Sequence, residues 1–255
     1  METLLKGART LGIELTPARL EQFQQYYSEL VEWNRRMNLT SIVEYEKVQI
    51  LHFLDSLSAV LAFEDRAALE KVGIKVLDVG TGAGLPGIPL RIAFPEMRLY
   101  LLDSTRKKSL FLAQVVGKLG LNNVEVVTGR AEELAHLPEY REQFDLVLAR
   151  AVAELPALVE LCLPFSRPGG TFIAFKKGDV EAEVKRAERA IALMGGGPPE
   201  LVKVDLEGLQ DRRCLVVITK ASATPSPYPR RAGMPTKRPV TNRVEPCGKP
   251  GEEVL

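Results

Sequence analysis

From Lys75 to Gly84 the chain reads Lys-Val-Leu-Asp-Val-Gly-Thr-Gly-Ala-Gly, a short apolar run that ends in three alternating glycines. Such a run predicts a strand that breaks into a tight turn and then a helix, because glycine alone takes positive φ without steric penalty. Glycines at such a turn also let a ligand approach the backbone with no Cβ in the way. Asp78, just ahead of the turn, is placed to orient polar groups of a ligand. Nineteen residues beyond Gly84, Asp103 closes the next apolar run, Arg-Leu-Tyr-Leu-Leu-Asp. An acid at that strand end can accept hydrogen bonds from both ribose hydroxyls of an adenosine. Ligands of open α/β sheets sit beyond the carboxyl ends of the strands, where both features fall.

The rest of the chain agrees with an α/β sheet. Strand-like runs at 75–79, 98–102, 124–127, 144–149 and 171–175 alternate with helical patterns, notably 107–119 and 180–193. That order predicts a doubly wound, mostly parallel, Rossmann-like sheet covered on both faces. After a break at 195–199, runs at 201–205 and 214–219 follow with no helix between them, which predicts a terminal antiparallel hairpin.

Three segments are expected: helices over 1–70, the sheet domain over 71–220 and a tail over 221–255. Thr16-Pro17 reads as an N-cap followed by proline at the first helical position. Leu20, Phe23, Tyr27, Leu30 and Val31 form an amphipathic stripe after it. A second helix is expected from about residue 46, with Ile50, Leu51, Leu54, Leu57 and Leu61 on one face. The segment 221–244 holds five prolines, five basic side chains and no acid, so a chain of net charge +1 carries −4 outside it.

Three cysteines, Cys162, Cys214 and Cys247, lie far apart with no C-x-x-C pair, and there are two histidines. Neither a disulfide framework nor a metal centre is expected. No apolar stretch approaches the roughly 18 residues of a membrane span, and the N-terminus lacks the apolar core of a signal peptide. A cytoplasmic protein with no membrane partner is the expectation, and a monomer.

Gly82, Gly84 and Gly87 satisfy G-x-G-x-x-G, so a nicotinamide enzyme has to be weighed. Asp78 with Gly80, Gly82 and Gly84 instead gives the D-x-G-x-G-x-G form common in methyltransferases, and a terminal hairpin belongs to that class too. No tyrosine has a lysine four residues later, so a short-chain dehydrogenase dyad is missing. A class I methyltransferase using S-adenosylmethionine is the better reading. The run after the fourth strand, 144–153, lacks the Asp/Asn-Pro-Pro-aromatic signature of adenine amino methylases. Cytosine C5 methylases need a cysteine nucleophile; Cys247 follows a proline but lies in the tail with no catalytic loop around it. A target that is already nucleophilic, such as guanine N7, needs no such group, and positioning alone can supply about 7–11 kcal/mol in favourable systems.

Longer motifs add a resemblance. Trp33-Asn34 with Asn38-Leu39-Thr40, His52-Phe-Leu-Asp55-Ser56-Leu57, the run from Asp78 through Gly87 to Pro89, and Leu102-Asp103-Ser104 are similar to the GidB (RsmG) methyltransferases. Gly129-Arg130-Ala131-Glu132, Ala149-Arg150-Ala151-Val152, Pro168-Gly169-Gly170 and the tail run from Tyr228 to Lys237 extend the likeness. The resemblance implies 7-methylguanosine formation in the 530 loop of bacterial 16S ribosomal RNA, at guanine 527 in the usual numbering. The partner would then be 16S rRNA or a small-subunit precursor. It also implies cofactor contacts at Gly80, Leu85, Asp103, Ser104 and Thr105. Ala131 and Glu132 would meet the adenine, and Arg150 would face the methionine end or the target, as the expected catalytic residue. Asp78, Gly82 and Gly84 complete the cofactor set.

Other features have two readings. His52 and Asp55, one turn apart, fit a metal or acid/base site and a capped or packed polar pair equally. Trp33 fits a core position better than a base-stacking one, and Arg150 fits the site better than a plain ion pair. Arg106, Lys107 and Lys108 open a helix whose dipole opposes them; phosphate contact and a solvated face are both open. So are they for Lys176 and Lys177. In the tail, Arg230, Arg231, Lys237 and Arg238 are expected to contact RNA phosphates. A methyltransferase for another RNA or a small molecule, or a noncatalytic cofactor-binding assembly factor, remain the competing functions.

Overall fold

The computed structural model describes residues 1–65, 67–209 and 212–242. The strands are β1 Lys75–Val79, β2 Arg98–Asp103, β3 Val124–Thr128, β4 Phe144–Arg150, β5 Ser166–Lys177, β6 Glu200–Val204 and β7 Arg213–Thr219. They form one sheet in the order β3-β2-β1-β4-β5-β7-β6. The first five are parallel, and β7 runs antiparallel to both of its neighbours. Side chains alternate between two cores. Val76, Leu99, Leu101, Leu146 and Leu148 enter one face, and Leu77, Tyr100, Leu102, Val147 and Ala149 the other. That period of two, apolar on both sides, is what a sheet covered by helices requires.

The expected architecture and terminal hairpin are therefore present. The hairpin folds back so that β7, not β6, pairs with β5, which leaves β6 at the edge with Leu201 41% exposed. The helix Leu155–Cys162 after β4 is buried at all eight residues, Glu160 among them.

At the N-terminus, Thr16 caps the helix Pro17–Met37 by accepting from the Arg19 N–H, with proline at the first position as read from sequence. Of the expected stripe, Phe23 and Leu30 are buried; Tyr26 and Glu29 are buried beside them, while Tyr27 is only half-buried and donates to the Val43 carbonyl at 3.1 Å. Spacings of three and four fit either tyrosine, and packing against Phe53 selects Tyr26.

The second expected helix is irregular. An α-helical turn, Tyr45–Val48, widens into a π-helix, Gln49–Leu54, returns to α at Asp55–Leu57 and tightens to a 3-10 turn, Ser58–Ala62. Widening shifts the register of the buried face. Ile50 and Leu51 are only half-buried, whereas His52, Phe53 and Asp55 are buried. Single-turn π segments recur at functional sites.

These helices share one continuous core with the sheet face they cover. Tyr26 donates its hydroxyl to the Ala83 carbonyl at 2.5 Å, which ties the helix to the glycine turn. Glu29 accepts from Gln114 and Lys118 on the helix Arg106–Lys118. Trp33 lies edge-on to Phe111 on the same helix, a core contact as expected.

The tail is strapped to the domain as far as it is described. The Arg141 guanidinium donates to the carbonyls of Ala135, Thr224, Pro225 and Tyr228 at 2.7–3.2 Å. The buried Lys220 ammonium donates to the carbonyls of Leu163 and Met194 and to the Thr224 hydroxyl. Arg243 and Cys247 lie outside the described residues.

Candidate functional site

The site is built where β1 and β2 end. Gly80 and Thr81 donate backbone N–H groups to the Leu102 carbonyl, which carries the chain off β1 and over the end of β2. Gly82 has φ +60°, and a Cβ there would stand in open space, so backbone conformation rather than crowding selects glycine. Gly87 is selected by crowding: a Cβ would lie 2.8 Å from the Leu101 side chain and 2.9 Å from Asp78 Oδ2. Its absence lets the helix Gly87–Ala93 sit directly on the sheet.

Asp78 is fully buried. Its Oδ2 accepts from the Thr81 hydroxyl at 2.6 Å and the Gly87 N–H at 2.9 Å, whereas Oδ1 is buried with no partner. Burial lifts this carboxyl to about 6, and the two hydrogen bonds and the Arg150 charge oppose the rise. An unpartnered oxygen in such a place is an acceptor in want of a donor.

Asp103 ends β2 in a fixed orientation. Its Oδ2 accepts from the Gly82 N–H at 3.1 Å and from Lys108 at 3.4 Å, and its Oδ1 accepts from the Thr105 N–H at 2.8 Å. The Lys108 contact gives one of the three cations opening that helix an internal partner; Arg106 and Lys107 remain exposed.

Beyond these strand ends lies a cleft of about 190 Å³. Gly80, Asp103, Ser104, Ala131 and Glu132 line it, five of the residues expected for the cofactor. Asp78, Gly84, Leu85 and Thr105 stand behind or beside it: Leu85 is buried, and Gly84 leaves room for Ile88 and the Tyr26 hydroxyl. Gly82 reaches the cleft through its bond to Asp103.

Sequence reasoning missed part of the lining. Val152 and Ala153 come from the turn after β4, where Ala151 has φ +57°. An alanine in that left-handed conformation is strained, and strain of this kind gathers at functional sites. Their position just past Arg150 was a usable signal. Leu161, Gly129 and Thr236 also line the cleft. Thr236 lies in the quoted tail run, but that run was expected to face RNA.

Arg150 lies outside the cleft. Its guanidinium donates to Asp55 Oδ2 at 2.7 Å, and Asp55 Oδ1 accepts from Arg213 at 3.1 Å. The carboxylate is 3% exposed and the arginines are nearly buried, so the ion-pair reading disfavoured from sequence describes this contact. His52 stands beside them, its Nε2 2.8 Å from the Thr40 hydroxyl. Burial and then the Arg150 charge lower its imidazole to about 4, so it is neutral at pH 7. Of the two readings of His52 and Asp55, the structure presents a packed polar cluster that joins the π-helix to β4 and β7.

Arg230 has a partner within the fold. It makes a bidentate pair with the fully buried Glu160 at 2.6–3.2 Å and donates to the Arg238 carbonyl. Arg231, Lys237 and Arg238 are exposed on the same strap. Lys176 likewise turns inward, to Glu183 and the Ala153 carbonyl, and leaves Lys177 exposed.

Comparison with known proteins is consistent throughout. The GidB family model, described as rRNA small subunit methyltransferase G, matches residues 19–211. A protein of that name from Dehalococcoides mccartyi strain CBDB1 is 51% identical over 94% of this chain and all of its own length. Another from Lachnoclostridium phytofermentans is 45% identical over 94% of this chain and 98% of its own. Among solved structures, a predicted O-methyltransferase from Agrobacterium tumefaciens superposes with a TM-score of 0.51 at 18% identity, covering 66% of this chain and 82% of the other. That likeness concerns the fold alone.

Proposed function

Because the chain belongs to the GidB family of rRNA small subunit methyltransferases, we propose that its cleft holds S-adenosylmethionine for transfer to N7 of one guanine in the 530 loop of 16S rRNA. The observation that carries this reading is Asp103, held by the Gly82 and Thr105 amides at the rim of a cleft that Gly80 and Gly129 also line. A carboxylate so placed can accept both hydroxyls of a ribose. The small side chain of Ala131 leaves room for a flat base, and the unpartnered Asp78 Oδ1 is an acceptor suited to a cationic amino group. The residues therefore fit this cofactor, which when bound supplies a methyl group on a sulfonium centre.

The chain has then chiefly to align. Guanine N7 carries a lone pair in the ring plane and no proton at neutral pH, so no general base is required. Arg150, at the end of β4, acts as a positioning residue: Asp55, itself paired with Arg213, fixes it, and its charge bears on Asp78. The strained turn at Ala151 then presents Val152 and Ala153 to the cleft. An accessible loop guanine of a folded RNA is recognised by shape and by contacts to splayed bases. Exposed cations around the strand ends and strap, among them Arg106, Lys107, Lys177, Arg231, Lys237 and Arg238, supply phosphate contacts. The protein works as a cytoplasmic monomer.

The test uses 16S RNA and small subunits from cells lacking the endogenous enzyme, incubated with methyl-labelled S-adenosylmethionine. Label confined to one guanine, located by cleavage selective for 7-methylguanosine, is expected. Cofactor binding with no label on RNA would favour the noncatalytic assembly factor instead.

A further inference from the structure

We propose that the strap Tyr228–Arg238 is a wall of the cofactor site, with Thr236 a cofactor-contacting residue and the Arg230–Glu160 pair the clamp that holds the wall in place. The inference rests on the function proposed above and adds residues that lie outside the cofactor set expected from sequence.

Four observations converge. First, Thr236 lines the same cleft as Asp103, Ala131 and Glu132, although it lies more than a hundred residues beyond Glu132 in sequence. Second, Glu132 faces both ways: it borders the cleft, and its Oε1 accepts the Gly233 N–H at 2.8 Å and the Arg130 guanidinium at 3.0 Å. The side chain expected at the adenine is thus the one that carries the strap. Third, the strap is fastened at several independent points. Glu160, fully buried, accepts from the Arg230 backbone and guanidinium; His136 Nε2 lies 2.8 Å from the Pro229 carbonyl; Arg141 holds the Tyr228 carbonyl. Arg230 also donates to the Arg238 carbonyl, which closes the segment into a loop on its own clamp. Fourth, the cleft is narrow. Small-molecule sites commonly run to 300–1,000 Å³, and at about 190 Å³ the cleft is small enough for one large side chain at Thr236 to take up much of it.

The clamp has a chemical logic. A carboxylate buried on the inner helix Leu155–Cys162 needs a hydrogen-bonded cation, and the one it has comes from the tail. Burial of Glu160 therefore obliges the tail to return to this end of the sheet, which places Thr236 over the cleft. The exposed cations Arg231, Lys237 and Arg238 ride on the same segment. An RNA phosphate bound to them bears on the wall of the cofactor site, and coupling of that kind is reciprocal.

The experiment is calorimetric titration of the full chain with S-adenosylhomocysteine. Thr236→Trp changes an exposed position and fills the cleft. Replacing Glu160 and Arg230 together by methionine removes the clamp without leaving a lone buried charge. Each variant is expected to weaken binding at least tenfold, with the melting temperature of the ligand-free Thr236→Trp protein within a few degrees of the parent. Parent-like affinity in Thr236→Trp would overturn the proposal. If the parent itself failed to bind, the cofactor assignment would fall as well, so the two failures are told apart by the parent titration.

Discussion

At the scale of single residues, two buried groups have their ionisation pushed in opposite senses. His52 sits near 4 in the fold against an ordinary 6.5, because burial and the Arg150 charge disfavour its cation. The unfolded chain therefore takes up a proton that the fold refuses. Stability from this group is complete above pH 6.5 and is lost as the pH falls toward 4, by on the order of 3 kcal/mol. Asp78 lies near 6 against 3.8, so its contribution is complete below about pH 4 and is lost as the pH rises through 6. The two slopes oppose one another between pH 4 and 6. His52→Gln is expected to gain stability relative to the parent as the pH falls through that window, and Asp78→Asn as it rises. Urea unfolding across pH 4–7 reads both, and parallel profiles for parent and variants would refute the assignment.

At the scale of elements, the π-helix Gln49–Leu54 is the joint between the N-terminal helices and the sheet. Its wide turn is followed at once by Asp55, which meets Arg150 from β4 and Arg213 from β7. Breaking a buried pair from one side leaves charge uncompensated and costs about 3–5 kcal/mol. Asp55→Asn should lose stability of that order in denaturant titration, since it strands two guanidinium groups at once. A loss under about 1 kcal/mol would show that water already reaches the cluster.

Elements also show where sequence patterns stop being informative. The glycine turn and Asp103 were readable because their chemistry is local: a strand, a turn and a strand-end acid within 29 residues. The strands were readable because period two survives in each run. The π turn was not, since inserting one residue into a helical turn alters hydrogen bonding and leaves composition unchanged. Nor could Tyr26 be told from Tyr27 when either keeps the helical spacing. For Arg150 and Arg230 the sequence points to ligand and RNA, because their partners in the fold, Asp55 and Glu160, lie 95 and 70 residues away. A pairing of that range leaves no periodic trace.

For the whole molecule, the balance of charge matters more than its total. The near-neutral chain places five cations in its tail, yet Arg230 is occupied by Glu160, so the strap offers Arg231, Lys237 and Arg238 to solvent. Replacing these three by alanine should weaken binding to small-subunit RNA and lower its salt dependence by about 0.7 per lost phosphate contact. Fluorescence anisotropy over a salt series measures both quantities. An unchanged slope would place the RNA elsewhere, toward Arg106, Lys107 and Lys177. Among the described residues no helix is long and apolar enough to cross a membrane.

The most direct test of the account is the crystal structure of the chain with S-adenosylhomocysteine. The ribose hydroxyls are expected on Asp103, the adenine between Ala131 and Thr236, and the amino group toward Asp78. Ligand density at another opening, such as the larger one between Lys6, Leu54 and Glu207, with the Asp103 cleft empty, would contradict it.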